Sequence, residues 1–122
     1  YDVAMIKDNH KLAAGGVAAA YDAVRAAYPG VDVQVEVTTS AEALEAIDVG
    51  ARFIMCDNMS VELLRATVDA IRATGESVEV EATGGLTLEV AAAYAATGVD
   101  YLSVGGLTHS SPILDIALDL EE

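Results

Sequence analysis

The chain has 122 residues, 53% of them hydrophobic, and a formal net charge of −14 from 20 acidic and 6 basic side chains. That length and apolar content suffice for one domain with a core, while so acidic a surface repels nucleic acid and anionic lipid and excludes both as expected partners. No apolar run approaches the roughly 20 residues that span a bilayer, and no charged-then-apolar leader precedes Tyr1, so neither a membrane anchor nor a signal peptide is expected.

Asp2 to Lys7 is a short apolar run that predicts a first strand, closed by the polar Asp8-Asn9-His10. After Gly15-Gly16, Val17, Tyr21, Val24 and Tyr28 recur at helical spacing until Pro29-Gly30 stops the helix. Val33, Val35 and Val37 alternate with Gln34, Glu36 and Thr38, the pattern of a strand with one polar face. Ser40 is the expected cap of a helix striped by Leu44 and Ile47 and ended by Gly50. A third strand runs from Arg52 to Cys56, followed by Asp57-Asn58-Met59 and a helix capped by Ser60, striped by Leu64, Val68 and Ile71, and ended by Gly75. Val78, Val80 and Ala82 alternate with Glu79, Glu81 and Thr83 in a fourth strand. Gly84-Gly85 then leads to Thr87 as cap, a helix bearing Val90 and Tyr94, and Gly98 as its stop. Tyr101 to Val104 is a fifth strand, closed by Gly105-Gly106, and the tail from Ser110 to Glu122 is less regular.

Strict βα alternation implies parallel strands joined by right-handed crossovers. Two architectures accept it, a small doubly wound sheet and part of a (β/α) TIM-like barrel. The barrel is the preferred reading, as a single partial α/β-barrel domain over residues 1–122. Valines would then face the helices, and the acids sharing their strands would point inward. Five strands do not close an eight-stranded barrel, so two open sheet edges are expected.

The polar residues cluster where such strands end, the face on which barrel enzymes build their sites. Lys7 ends the first strand, Glu36 the second, Asp57 the third, and Thr83 with Gly84 and Gly85 the fourth. Gly105 and Gly106 end the fifth. Two glycine pairs after consecutive late strands suit phosphate, because bare amides at a helix start bind anions and absent side chains admit them. A tight turn is the plain alternative for each pair. Glu36 and Asp57 are the carboxylates suited to Mg²⁺ or to sugar hydroxyls, with solvent exposure or a salt bridge as the alternative. Lys7 can meet a phosphate or a carboxylate. His10 and His109 have no partner at zinc-ligand spacing, and no Gly-x-Ser-x-Gly elbow supports a serine hydrolase. Cys56 lies in an apolar strand as an inert core thiol, without a second cysteine for an internal disulfide, which fits a reducing cytoplasm. Lysine is confined to Lys7 and Lys11, a scarcity that together with the carboxylates also fits adaptation to high salt.

Several segments in order carry a resemblance. They are Met5-Ile6-Lys7-Asp8-Asn9-His10, Val35-Glu36-Val37, Met55-Cys56-Asp57-Asn58-Met59-Ser60, Glu81-Ala82-Thr83-Gly84-Gly85, Thr97-Gly98-Val99-Asp100-Tyr101, Gly105-Gly106-Leu107-Thr108-His109-Ser110 and Asp115-Ile116. Together they resemble the carboxyl-terminal half of the quinolinate phosphoribosyltransferase family, over essentially the whole chain. The resemblance implies an incomplete α/β barrel working in a homo-oligomer. It also implies a reaction: quinolinate and phosphoribosyl pyrophosphate give nicotinate mononucleotide, pyrophosphate and carbon dioxide, with Mg²⁺ assisting. By motif, Lys7 would contact the anionic substrates near the pyrophosphate, and Glu36 and Asp57 would meet the ribose hydroxyls and the metal. Thr83, Gly84, Gly85, Gly105 and Gly106 would cradle the 5′-phosphate, with His109 in support. The family's basic cluster for quinolinate falls outside the matched segments, so the chain alone is expected to be inactive. Two other readings are a paralogue with a different acceptor, such as the family member associated with molybdenum transport, and a non-catalytic βα module that self-associates through its edges.

Overall fold

The computed structural model describes residues 3–104, 107–108 and 117–119. Along them run β1 (Val3–Ile6), α1 (Asp8–Ala14), α2 (Val17–Ala27), β2 (Asp32–Val37), α3 (Ser40–Asp48), β3 (Phe53–Asp57) and α4 (Val61–Ala73). They continue with β4 (Glu79–Thr83), α5 (Leu88–Ala95), β5 (Tyr101–Val104), β6 (Leu107–Thr108) and β7 (Ala117–Asp119). The strands form one sheet in the order β6-β5-β4-β3-β2-β1-β7. From β1 to β5 each strand pairs in parallel with the next along the chain.

That sequential order decides between the two architectures. A doubly wound sheet reverses its order once and so carries helices on both faces, whereas right-handed crossovers that always step the same way leave every helix on one face. The packing agrees. Ile6, Val33, Val35, Val37, Ile54, Cys56, Val80 and Ala82 form one cluster with Val17, Tyr21 and Val24 of α2, Ala43 and Ile47 of α3, and Leu64, Val68 and Ile71 of α4. Each large aliphatic side chain in it contributes roughly 1.5–3 kcal/mol through burial. The alternate positions Gln34, Glu36, Met55, Asp57, Glu79, Glu81 and Thr83 belong to the other face, which in a barrel of parallel βα units is the inner one. Glu81 is buried there, taking a 2.5 Å hydrogen bond from the Ser103 hydroxyl.

The sheet is open at both ends, as expected, but extra strands form those ends: β7 adds in parallel outside β1, and β6 adds antiparallel outside β5. These end strands are only three and two residues long, which keeps the new edges short. Asp8-Asn9-His10, which close the first strand, form the first turn of α1, a helix the sequence reading did not include. That helix stops at Gly15, whose φ of +95° suits glycine and whose N–H returns to the Lys11 carbonyl at 3.0 Å. Finally, Thr39 rather than Ser40 caps α3, its hydroxyl accepting the Glu42 N–H at 3.1 Å. Ser40 instead reaches Thr67 of α4 at 2.6 Å. Because Thr67 spends its one hydroxyl proton on the Leu63 carbonyl, 2.8 Å away, Ser40 is the donor.

Cys56 is 1% exposed, and burial pushes its thiol up to about 12, so near neutral pH almost no thiolate forms. The native chain is expected to resist a thiol-specific reagent that labels it fully in denaturant. Rapid labelling of the native chain would mean that β3 is not covered as described.

Candidate active site

The candidate residues meet at the carboxyl ends of β2, β3 and β4. Glu36 lies opposite Met55 in the sheet, and Asp57 follows Met55 by two residues on the same face. With parallel strands about 4.8 Å apart and a rise of about 3.3 Å per residue, the Glu36 and Asp57 Cα atoms stand about 8 Å apart. Asp57 faces Thr83 across the β3–β4 pair, and the Thr83 hydroxyl donates to Asp57 Oδ1 at 3.3 Å. All three residues are half-buried at the rim.

The loops above them are fastened to each other. The Asn58 N–H donates to the Thr83 carbonyl at 3.0 Å, and Asn58 itself takes the left-handed conformation with φ of 55°. Gly84, at φ +121°, packs directly on it: a Cβ there would lie 3.1 Å from both the N and Cα of Asn58. A Cβ on Gly85 would meet nothing within 4 Å. The two glycines therefore differ: the missing side chain of Gly84 is needed by Asn58, and that of Gly85 faces open space. Just beyond, Thr87 begins α5 without a side-chain cap bond, so its hydroxyl does not occupy the first amides of that helix. Tyr94 anchors α5 from below by donating to the Met59 carbonyl at 2.8 Å.

Lys7 follows β1, half-buried, as the residue preceding the first turn of α1, and its N–H donates to His10 Nδ1 at 3.2 Å. One turn on, Lys11 is buried at 5% exposure. Its ammonium donates to the Glu36 carbonyl at 2.6 Å and to Glu42 Oε2 at 3.1 Å. Glu42 Oε1 accepts both the N–H and the hydroxyl of Thr38, at 2.9 and 3.1 Å. Burial acts to raise the Glu42 carboxyl, but the Thr38 amide and Lys11 outweigh it and hold the group below its ordinary value. The sequence reading missed both residues. The signal for Glu42 was its place three residues after Thr39, the spacing of a capping box. Nothing in the sequence marked Lys11.

Gly105, Gly106 and His109 lie outside the described residues. Among the described residues, no three His, Cys, Asp or Glu side chains gather to hold a metal. No helix among them is long and apolar enough to cross a membrane. A cavity of about 300 Å³ lies at the opposite, amino-terminal end of the strands, where Arg25, Asp32, Gln34, Arg52 and Glu79 line it. It shares no residue with the rim just described.

Against known proteins, the pattern that defines the family "Quinolinate phosphoribosyl transferase, C-terminal domain" matches residues 1–119. The chain belongs to the quinolinate phosphoribosyltransferase family. The nicotinate-nucleotide pyrophosphorylase (carboxylating) of Mycobacterium leprae is 49% identical over 120 residues, covering 98% of this chain and 42% of the relative. The human protein of the same name is 41% identical over 120 residues, covering 95% of this chain and 39% of its own length. The solved nicotinate-nucleotide pyrophosphorylase of Francisella tularensis superposes with a TM-score of 0.78 at 36% identity, over 90% of this chain and 38% of that one. As a quinolinate phosphoribosyltransferase domain, the chain thus spans about two fifths of the length of the curated relatives it matches. A thiamine phosphate pyrophosphorylase from Pyrococcus furiosus, 19% identical with a TM-score of 0.59, shares the fold.

Proposed function

We propose that this chain carries the phosphoribosyl half of a site that transfers ribose 5-phosphate from phosphoribosyl pyrophosphate to the ring nitrogen of quinolinate. Pyrophosphate and the ring carboxyl group, as carbon dioxide, leave, and nicotinate mononucleotide forms. The observation that carries the reading is the rim itself. Two half-buried carboxylates on one face, Glu36 and Asp57, stand beside a glycine loop that opens onto a helix start. Displacement at an anomeric carbon builds positive charge on the ribose and negative charge on the leaving group. Such chemistry asks the protein to orient and to neutralise more than to attack.

In this reading Glu36 and Asp57 accept hydrogen bonds from the ribose hydroxyls and offset the developing positive charge. The Gly85 backbone and the first amides of α5 receive the 5′-phosphate, and Thr83 holds Asp57 in place. Lys7 lies toward the pyrophosphate. Gly84 keeps the loop closed against Asn58, and Gly105 and Gly106 extend the phosphate cradle, with His109 in support. The donor set suits Mg²⁺: two carboxylates are hard oxygen ligands, and an incomplete protein set fits an ion that keeps water and takes substrate oxygens. Bound there by Glu36 and Asp57, Mg²⁺ would neutralise pyrophosphate.

The acceptor half needs cations that this chain spends elsewhere. Of its six basic residues, Lys11 is buried in the Glu42 pair. Arg25, Arg52, Arg65 and Arg72 each bond to backbone carbonyls. The isolated chain is therefore expected to turn over negligibly, with further polypeptide and neighbouring copies in a homo-oligomer completing the site. The lone, unpaired Cys56 fits a cytoplasmic setting.

Calorimetry with phosphoribosyl pyrophosphate and Mg²⁺, at low and high salt, tests the reading. Saturable binding is expected, with Asp57→Asn weakening it about 10- to 100-fold, as loss of a charge-assisted hydrogen bond does. Binding that Asp57→Asn leaves unchanged would remove the rim from the site.

A further inference from the structure

We propose that Lys11 and Glu42 form an internal strut that sets the position of Glu36 and of the turn from β2 into α3, making both of them positioning residues for the ribose end of the site. The inference rests on the reading of Glu36 as a ribose or metal carboxylate.

Pairing of β1 with β2 stops at Ile6 and Val35, one residue short of Glu36. Beyond that point the Lys11 ammonium, carried on α1, bonds to the Glu36 carbonyl. The same ammonium binds Glu42, whose second oxygen holds the N–H and hydroxyl of Thr38. Four consecutive points are thereby joined: α1, the backbone of Glu36, the turn residue Thr38 and the first turn of α3.

An ammonium is an expensive way to fill space. Its desolvation is unfavourable, and an apolar side chain of similar length packs as well without it. What an apolar side chain does not supply is two directional bonds, and both of these end on the segment that presents Glu36. Among the described residues, the strut's bonds join α1 to Glu36, Thr38 and Glu42, whereas the phosphate end of the site lies at β4 and α5. Loss of the strut therefore acts on one end of the ligand and spares the other, a separation that general loss of stability does not produce.

The experiment compares Lys11→Met, which keeps the apolar stem, with Glu36→Gln on the same 122-residue chain. Two ligands are titrated by calorimetry: phosphoribosyl pyrophosphate with Mg²⁺, and inorganic phosphate alone. Lys11→Met is expected to weaken the first about tenfold, the usual scale for a supporting group behind a ligand, and to leave the second unchanged. Equal weakening of both would make Lys11 a stability residue and overturn the proposal. If Glu36→Gln weakens binding and Lys11→Met does not, the strut fails while the site stands. If Glu36→Gln has no effect, the reading of Glu36 fails instead. Hydrogen exchange gives a readout that needs no ligand: the Thr38 amide is expected to exchange about tenfold faster in Lys11→Met, as a supporting bond is lost. An unchanged Thr38 amide overturns the strut even if no ligand binds. Should Lys11→Met fail to fold, Glu42→Gln keeps the shape, removes the partner charge and is read in the same way.

Discussion

Replacing Gly84 by alanine is expected to cost about 2–4 kcal/mol of stability and about 10 °C of melting temperature, while alanine at Gly85 is expected to change neither. Two effects add at Gly84. Its φ of +121° lies where a residue with a Cβ is strained, and that Cβ would press at 3.1 Å on backbone atoms of Asn58. Backbone cannot step aside as a flexible side chain can, and Asn58 is itself held by its bond to the Thr83 carbonyl. Relief would therefore have to move the end of β3 or β4. At Gly85 neither effect operates. Thermal melts of the two variants, followed by circular dichroism, make the comparison, and equal melting temperatures would mean that the β3–α4 and β4–α5 loops do not meet as described.

The complementary substitution concerns binding. Gly85→Glu is expected to leave the fold intact and to lower inorganic phosphate affinity about 100-fold. A carboxylate about 4 Å from a bound anion is worth roughly 1–4 kcal/mol of repulsion between water-like and protein-surface dielectrics. The new side chain would start in open space, next to a helix whose first amides lack a side-chain cap. It would compete for those amides as well as repel the ligand. Phosphate titration by calorimetry, with circular dichroism as the control for folding, reads the result. Retained affinity in a folded variant would move the anion site away from this loop.

The contrast between these neighbours explains where sequence reasoning ended. Two adjacent glycines are the same letter, and only the φ values and the approach of Asn58 separate the packing one from the open one. The sheet was easier. Alternating valines in 33–37 and 78–82 declare one buried face, and glycines after regular spacings declare where helices stop. The barrel reading rested on acids sharing the valine strands, and the strand order, which alternation alone does not contain, bears it out. α1 escaped notice because its first three residues are polar, and its best signal, Gly15, was read as the start of α2 rather than as the end of something before it. Thr39 and Ser40 are equally good caps by type, and the deciding feature was the spacing to Glu42. β7 is three residues long within an apolar stretch, too short for a period to show. Lys11 was invisible for a different reason: a lysine's default place is the surface, and burial of one is a tertiary event.

The pairing of β7 with β1 has a consequence for how the molecule assembles. Every other parallel pair joins strands that are successive βα units, so closing each contact brings together chain that is already near. Val3 and Ala117 are 114 positions apart (117 − 3), which makes theirs the most distant parallel register in the sheet. Ordering so long a loop costs more entropy than ordering one unit, and contacts of large sequence separation slow folding. The five central strands can form stepwise before β7 adds to β1. During synthesis the β7 contact waits until residues 117–119 have been made, so of the five central strands β1 is the last to gain both of its neighbours in this sheet.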